Sequence, residues 1–266
     1  MTRQFKICIC ICLICLAISA FTLTNLNQET PLAESSNKSP EKLAYKKPNL
    51  NSTSTTIKEI EKIEVTETQT IVATAITEMV TAYRTPDGEI HKLFRNPTQF
   101  GGPRVFQVLD DSDPKYVKVS LPIKPNHQQG WILREEVALS TVNYKAEVDL
   151  ATNSLKVWAG DQILVETKAV TGAPRTPTPL GTFYVRDIIK KSNPNGAYGP
   201  YILALSGFSE VLETFAGGLP AIAIHGTNSP GLIGQNRSNG CIRIPNELIS
   251  ILAENVPLGT PVTIVA

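Results

Sequence analysis

Apolar and polar positions alternate in short runs along most of the chain beyond residue 70, with few stretches of helical spacing. Ile71 to Ala75 is rich in strand formers. Val105-Phe106-Gln107-Val108-Leu109 and Tyr116-Val117-Lys118-Val119-Ser120-Leu121 are separated by the polar run Asp110 to Pro114, which predicts strand, turn, strand. Thr85-Pro86-Asp87-Gly88 and Pro125-Asn126 are turn signals, and Gly130-Trp131-Ile132 opens a further short strand. Strands this short and this closely spaced predict a small β module over residues 71–142, with Trp131 in its core. His91 and His127 lie in polar, turn-like surroundings and are expected to be solvated bystanders.

From residue 143 the strands lengthen. Ala146, Val148 and Leu150 share one face of the first, and Leu155, Val157 and Ala159 one face of the second. Gly160-Asp161 makes a tight hairpin into Ile163-Leu164-Val165. A proline-heavy loop from Thr171 to Pro179 precedes a strand at Gly181 to Val185. In Ala221 to Thr227, period two places Ile222 and Ile224 on one face and Ala221, Ala223 and His225 on the other. In Ser238 to Pro245, Ile242 and Ile244 turn inward, and Cys241 and Arg243 share the opposite face. Pro245-Asn246-Glu247 starts a short helix over 246–255, with Leu248, Ile249 and Leu252 as its buried stripe.

The head of the chain is different. Arg3 and Lys6 precede an apolar run from Ile7 to about Leu23, the layout of a signal peptide or N-terminal membrane anchor over residues 1–24. Residues 25–70 contain no glycine and one aromatic residue, Tyr45, so they cannot bury enough apolar surface to offset their ordering entropy. A disordered linker is expected there.

Composition narrows the function classes. The 266 residues are 42% hydrophobic and 18% charged, which fits neither a wholly disordered chain nor a multi-span membrane protein. Lys+Arg total 25 against Asp+Glu 24, so no strong positive field exists to hold nucleic acid. No paired-cysteine or HExxH metal site is present, no Gly-rich phosphate loop, and no cofactor is implied. Four of the five cysteines lie in the apolar head. The fifth, Cys241, is alone, so an exported domain would have no internal disulfide.

A lone thiol is either a buried small hydrophobe or a reagent. A thiol becomes a nucleophile as thiolate, which a nearby imidazole produces and a guanidinium favours. His225, Cys241 and Arg243 supply those three groups on the cleft-facing sides of two segments. Gly240, without a Cβ, lets another group approach the backbone beside the sulfur.

The run His225-Gly226-Thr227, fifteen intervening residues between His225 and Cys241, and Ser238-Asn239-Gly240-Cys241-Ile242-Arg243 resemble the L,D-transpeptidase catalytic domain of the YkuD family. Thr171-Gly172, Thr178-Pro179-Leu180-Gly181-Thr182-Phe183, Ser206-Gly207 and Phe215-Ala216-Gly217-Gly218 are also similar to it. Asn239 stands where the family most often has His. The resemblance spans Tyr144 to Ala266. It implies a mostly β fold: a mixed β-sandwich or barrel-like catalytic domain over 143–266 with a short C-terminal helix. The stretch before it, 71–142, resembles bacterial SH3-like modules.

The resemblance also implies roles. Cys241 is the nucleophile and His225 its base. Gly240 and Cys241 offer backbone N–H groups to an oxyanion, while Ser238, Asn239, Gly226 and Thr227 shape the site. Arg243 either contacts a substrate carboxylate or holds the loop by a salt bridge. The implied protein is an exported cell-wall enzyme acting on peptidoglycan stem peptides and held at the membrane by its N-terminal segment, or secreted. Its thioester is resolved by a neighbouring stem amine, by water or by a protein acceptor. A non-catalytic wall-binding module with a retired site is the rival from another class.

Overall fold

The computed structural model describes residues 69–266. The expected targeting segment, and the expected linker apart from its last two residues, lie outside the described residues. Among the described residues no helix is long and apolar enough to cross a membrane.

Seven strands form the first sheet: β1 (Thr70–Ala75), β2 (Met79–Tyr83), β3 (Ile90–Arg95), β4 (Val105–Asp110), β5 (Tyr116–Ser120), β6 (Gln129–Leu133) and β7 (Val137–Val142). Their order is β3-β2-β6-β5-β4-β1-β7, and every pairing is antiparallel. Alternate residues of these strands, among them Ala73, Val80, Phe106, Val117, Val119 and Ile132, meet in one core. Trp131 is not in it. Gly130 and Ile132 take the inward positions of β6, so period two sends the indole outward, where Lys118 Nζ lies 5.7 Å from the ring centroid.

The two other histidines also depart from expectation. His91 sits in β3, half-buried, with its Nδ1 enclosed and without a partner. His127 is exposed but stacks on Phe183, ring centroids 5.3 Å apart.

The rest of the chain runs β8 (Tyr144–Asp149), β9 (Ser154–Ala159), β10 (Gln162–Lys168), β11 (Thr171–Gly172), β12 (Gly181–Lys190), β13 (Tyr201–Phe208), β14 (Ala221–His225), β15 (Asn236–Ser238), β16 (Ile242–Arg243), α1 (Asn246–Asn255) and β17 (Pro261–Val265). Eight of these strands make one mixed sheet, β10-β9-β8-β17-β12-β13-β14-β16. The last strand of the chain inserts between β8 and β12, parallel to the first and antiparallel to the second. The sheet curls around a single core that includes Val148, Leu155, Phe183, Leu203, Leu205, Ile222, Ile224, Ile242 and Ile244. Helix α1 lies against β13 and β14 and closes that core with Ile249 and Leu252. Among the described residues the fold is mostly β with one short α-helix. β11 and β15 pair separately, in parallel.

Tyr184 joins the two sheets. It is fully buried with Val72, Val105 and Val142 of the first sheet, and its hydroxyl donates to the Ser120 carbonyl at 3.3 Å. Truncating it empties a large volume at the junction while leaving either core intact. Tyr184→Ala is expected to cost ~3–5 kcal/mol of unfolding free energy, and Tyr184→Phe about 1 kcal/mol for the lost hydroxyl bond. Urea denaturation followed by tryptophan fluorescence measures both. Equal stability of Tyr184→Ala and wild type would show that the junction is not cooperatively packed.

Candidate active site

The site begins with a register. β14 and β16 run parallel, with Ile224 opposite Ile242 and His225 opposite Arg243. The isoleucine faces go into the core. The other faces carry Ala221, His225, Cys241 and Arg243, all of which line one cleft of about 140 Å³. The sequence-predicted base and nucleophile are therefore brought to the same recess.

The cysteine sits at the end of a tight turn built by Ser238. The Ser238 hydroxyl, itself buried, donates to the Cys241 carbonyl at 2.6 Å and accepts the Gly240 N–H at 3.1 Å. Gly240 adopts φ +109°, a conformation that side chains disfavour, and a Cβ there would lie 2.9 Å from Ile222 Cδ1. The expected pair of backbone donors to an oxyanion is thus reduced, because the Gly240 N–H is already engaged by Ser238. The Cys241 N–H is not engaged in this way.

The loop after β11 holds the turn from beneath. Thr176 Oγ1 donates to the Ser238 carbonyl at 3.0 Å and Thr178 Oγ1 to the Gly240 carbonyl at 2.9 Å. Below that, Thr171 donates to Asn153 Oδ1 at 2.5 Å, and Asn236 Nδ2 donates to the same oxygen at 3.1 Å.

His225 is buried, and its Nδ1 lies 2.6 Å from the Gly226 carbonyl oxygen. A carbonyl only accepts, so Nδ1 carries the proton and Nε2 keeps its lone pair. Gly226 is needed for this turn: a Cβ would fall 2.2 Å from Asn246 Oδ1. That oxygen accepts the Thr227 N–H at 2.8 Å, so the first residue of α1 fixes the chain after the base. Thr227 Oγ1 accepts the Ser229 N–H at 3.0 Å and extends the turn.

Burial disfavours the charged form of both groups. Burial pushes the His225 pKa down to about 4, with the Gly226 carbonyl opposing and Arg243 adding to the fall. Burial pushes the Cys241 thiol up, opposed by the Ala223 N–H and by Arg243. The sulfur lies 4.0 Å from the Ala221 carbonyl oxygen. Arg243 lines the cleft, and its Nε is enclosed without a hydrogen-bond partner. Among the described residues it joins no ion pair, so the salt-bridge role considered for it is not the one the fold uses. Its backbone does the holding, exchanging two hydrogen bonds with Val170 at 2.8 and 2.9 Å. Asn239 is exposed at the rim.

Two residues of the site escape sequence reasoning. Tyr198 lines the cleft with its ring 4.9 Å from the His225 ring, and burial raises its hydroxyl pKa, with the Cys241 charge adding. It comes from an irregular Asn- and Gly-rich loop that carries no periodicity. Asn246 is visible in the sequence as a helix start, but nothing there says that its side chain reaches back to Thr227. Among the described residues no group of three His, Cys, Asp or Glu side chains could hold a metal ion.

Comparison with known proteins agrees on the region that carries this geometry. Residues 143–264 match the YkuD family, described as an L,D-transpeptidase catalytic domain. The YkuD protein of Bacillus subtilis (strain 168) is 35% identical over 124 residues, covering 47% of this chain and 67% of that protein. Its Bacillus licheniformis counterpart is 34% identical over the same length and shares. Among solved structures, an L,D-transpeptidase from Mycobacterium smegmatis is 19% identical, with a TM-score of 0.37 over 62% of this chain and 90% of that one. The matched stretch begins one residue before β8 and encloses His225, the Ser238–Cys241 turn and the sheet that presents them, and on these grounds the chain belongs to the YkuD family of L,D-transpeptidase catalytic domains.

Proposed function

We propose that this protein is an exported, cysteine-dependent peptidoglycan L,D-transpeptidase, with the N-terminal segment as its signal or membrane anchor and the first β sheet as an SH3-like module beside the catalytic domain. The observation that carries the chemistry is the 2.6 Å contact between His225 Nδ1 and the Gly226 carbonyl. It leaves Nε2 as the proton acceptor in the cleft that Cys241 shares.

The donor is a tetrapeptide stem. Nε2 of His225 takes the Cys241 proton as the sulfur attacks the carbonyl before the terminal D-Ala. The oxyanion of the tetrahedral intermediate is met by the Cys241 N–H. Collapse breaks the amide bond, and the imidazolium returns its proton to the departing D-Ala amine. A thioester remains. An amine of a neighbouring stem then attacks it, gives up a proton to His225, and leaves as a 3→3 crosslink while Cys241 regains its thiol. The thioester keeps the acyl group activated, so no nucleotide is consumed. Arg243, which lines the cleft beside the sulfur, is the group assigned to a stem carboxylate, and its position there supports that role.

Acylation by a carbapenem, read by intact mass, tests this directly. Wild type is expected to gain one adduct, and Cys241→Ala none. Because one small side chain replaces another at a half-buried position, Cys241→Ala should keep the wild-type melting temperature. His225→Ala is expected to lower the acylation rate by ~10²–10⁴-fold. A wild-type rate in His225→Ala would remove the base from the mechanism, and an unmodified wild type at high drug excess would remove the enzyme reading.

The pH profile follows from the two shifts. With its pKa pushed down to about 4, the imidazole is a free base throughout the neutral range. The thiol is pushed up and is protonated there, so thiolate character grows as pH rises. The acylation rate is therefore expected to climb from pH 6 to pH 9. A rate that falls over that interval would contradict a neutral thiol–imidazole pair.

A further inference from the structure

A second recess lies beside the cysteine cleft and is not used by the chemistry above. It is a groove of about 980 Å³ between the first sheet and the β12–β13 part of the second, and Ala221 lines both recesses. Lys92, Arg95, Arg104, Lys124 and Arg186 border it, against the single carboxylate of Asp187.

That carboxylate offsets only part of the positive charge. Asp187 is buried and accepts the Thr98 hydroxyl at 2.6 Å. Arg186 forms an ion pair with Asp187, its Nε 3.6 Å from Oδ2 and so outside hydrogen-bond geometry, and that enclosed Nε has no hydrogen-bond partner. Arg104 Nε donates to the Arg95 carbonyl at 3.2 Å, and its guanidinium sits 5.7 Å over the Phe94 ring. Burial lowers the Arg104 pKa; Asp187 and Tyr184 oppose this and Arg186 adds to it, so two like charges share one recess.

The backbone is shaped for this. The β12–β13 register slips between Val185 and Asp187. In a regular strand adjacent residues face opposite ways, but the bulge lets both Arg186 and Asp187 border the groove. Two partly buried guanidinium groups, set against one carboxylate, present the fork geometry that carboxylates accept. Phosphate has similar chemistry. The continuity at Ala221 favours a peptide that reaches the reacting sulfur over a free-standing polyphosphate.

We infer that this groove binds a carboxylate-bearing strand of stem peptide running on from the cysteine cleft, with Arg104 and Arg186 holding one of its internal carboxylates and Lys92 and Arg95 at the open edge. The inference rests on the stem-peptide substrate proposed above.

The experiment uses the full chain carrying Cys241→Ala, so that binding is read without turnover. Its probes are a soluble stem tetrapeptide and the same peptide with its internal carboxyls amidated and its terminal carboxylate kept. Calorimetry is expected to show at least tenfold weaker binding of the amidated peptide. Arg186→Gln is expected to weaken the acidic peptide to a similar degree while leaving the amidated one unaffected. Lys92→Gln with Arg95→Gln, both on exposed positions of β3 and harmless to folding, is expected to weaken binding several-fold and to flatten its dependence on salt. If Arg186→Gln fails to fold, the exposed double variant and the amidated peptide decide the matter.

Equal binding of acidic and amidated peptides, or wild-type affinity in folded groove variants, overturns the inference. Tighter competition by poly(glycerol phosphate) than by the peptide overturns it too, in favour of a polyphosphate site. The carbapenem adduct on wild type separates the two failures. An adduct with an indifferent groove removes this inference alone, whereas no adduct removes the reaction beneath it.

Discussion

The parallel ladder between β14 and β16 decides which side chains meet. Its register puts Ile224 beside Ile242 in the core and His225 beside Arg243 on the cleft side. Strand periodicity is two, so a slip of one residue would turn the sulfur and the imidazole into the core and two isoleucines into the cleft. The isoleucines are thus the specificity device of the site. Four fully buried side chains, Ile222, Ile224, Ile242 and Ile244, each stabilise the correct register by roughly 1.5–3 kcal/mol of burial that the slipped register forfeits. The Ser238 hydroxyl then converts that register into a fixed turn by accepting the Gly240 N–H and donating to the Cys241 carbonyl.

Electrostatics follows from the same enclosure. Burial favours the uncharged form of each partner, and the Arg243 guanidinium pulls in two directions: it disfavours imidazolium and favours thiolate. The resting site is consequently a neutral thiol and a neutral imidazole beside a permanent cation.

Much of this was legible wherever one face of a strand is polar. The alternations around Val148, Leu155, Ile222 and Ile242, the helix at Asn246 and the cleft-facing set Ala221, His225, Cys241 and Arg243 follow from period two and from local capping chemistry. β13 was not legible, because Leu203 to Phe208 are buried without interruption and so show no alternation. The insertion of β17 between β8 and β12 is a non-local pairing that no neighbouring turn announces. Trp131 misled for a related reason: aromatic size suggests core, but Gly130 and Ile132 had already claimed the inner positions of β6. The bond from the Gly240 N–H to Ser238 is not legible in the sequence, because that hydroxyl is visible as a residue but not as a hydrogen-bond partner. Tyr198 and the reach of Asn246 depend on tertiary proximity alone.

The first sheet is more than a spacer to the cleft it adjoins. Asn126, in the loop between β5 and β6, donates to the Phe208 carbonyl at 2.8 Å and accepts the Phe208 N–H at 2.9 Å. One side-chain amide thereby replaces a strand partner at the end of β13, where the pairing with β14 is interrupted between Ala204 and Phe208. Next to it, Lys124 Nζ donates to the Leu212 carbonyl at 2.9 Å. Leu212 and Phe215 line the cysteine cleft, so the loop that carries them takes one of its anchors from the β5–β6 loop of the first sheet. Loosening the junction at Tyr184 would therefore be felt in the shape of the cleft before it was felt at the sulfur, whose turn is held by Thr176, Thr178 and Ser238 from within the second sheet's own loops. The shape of the cleft and the geometry at the sulfur are in this way held by different parts of the chain.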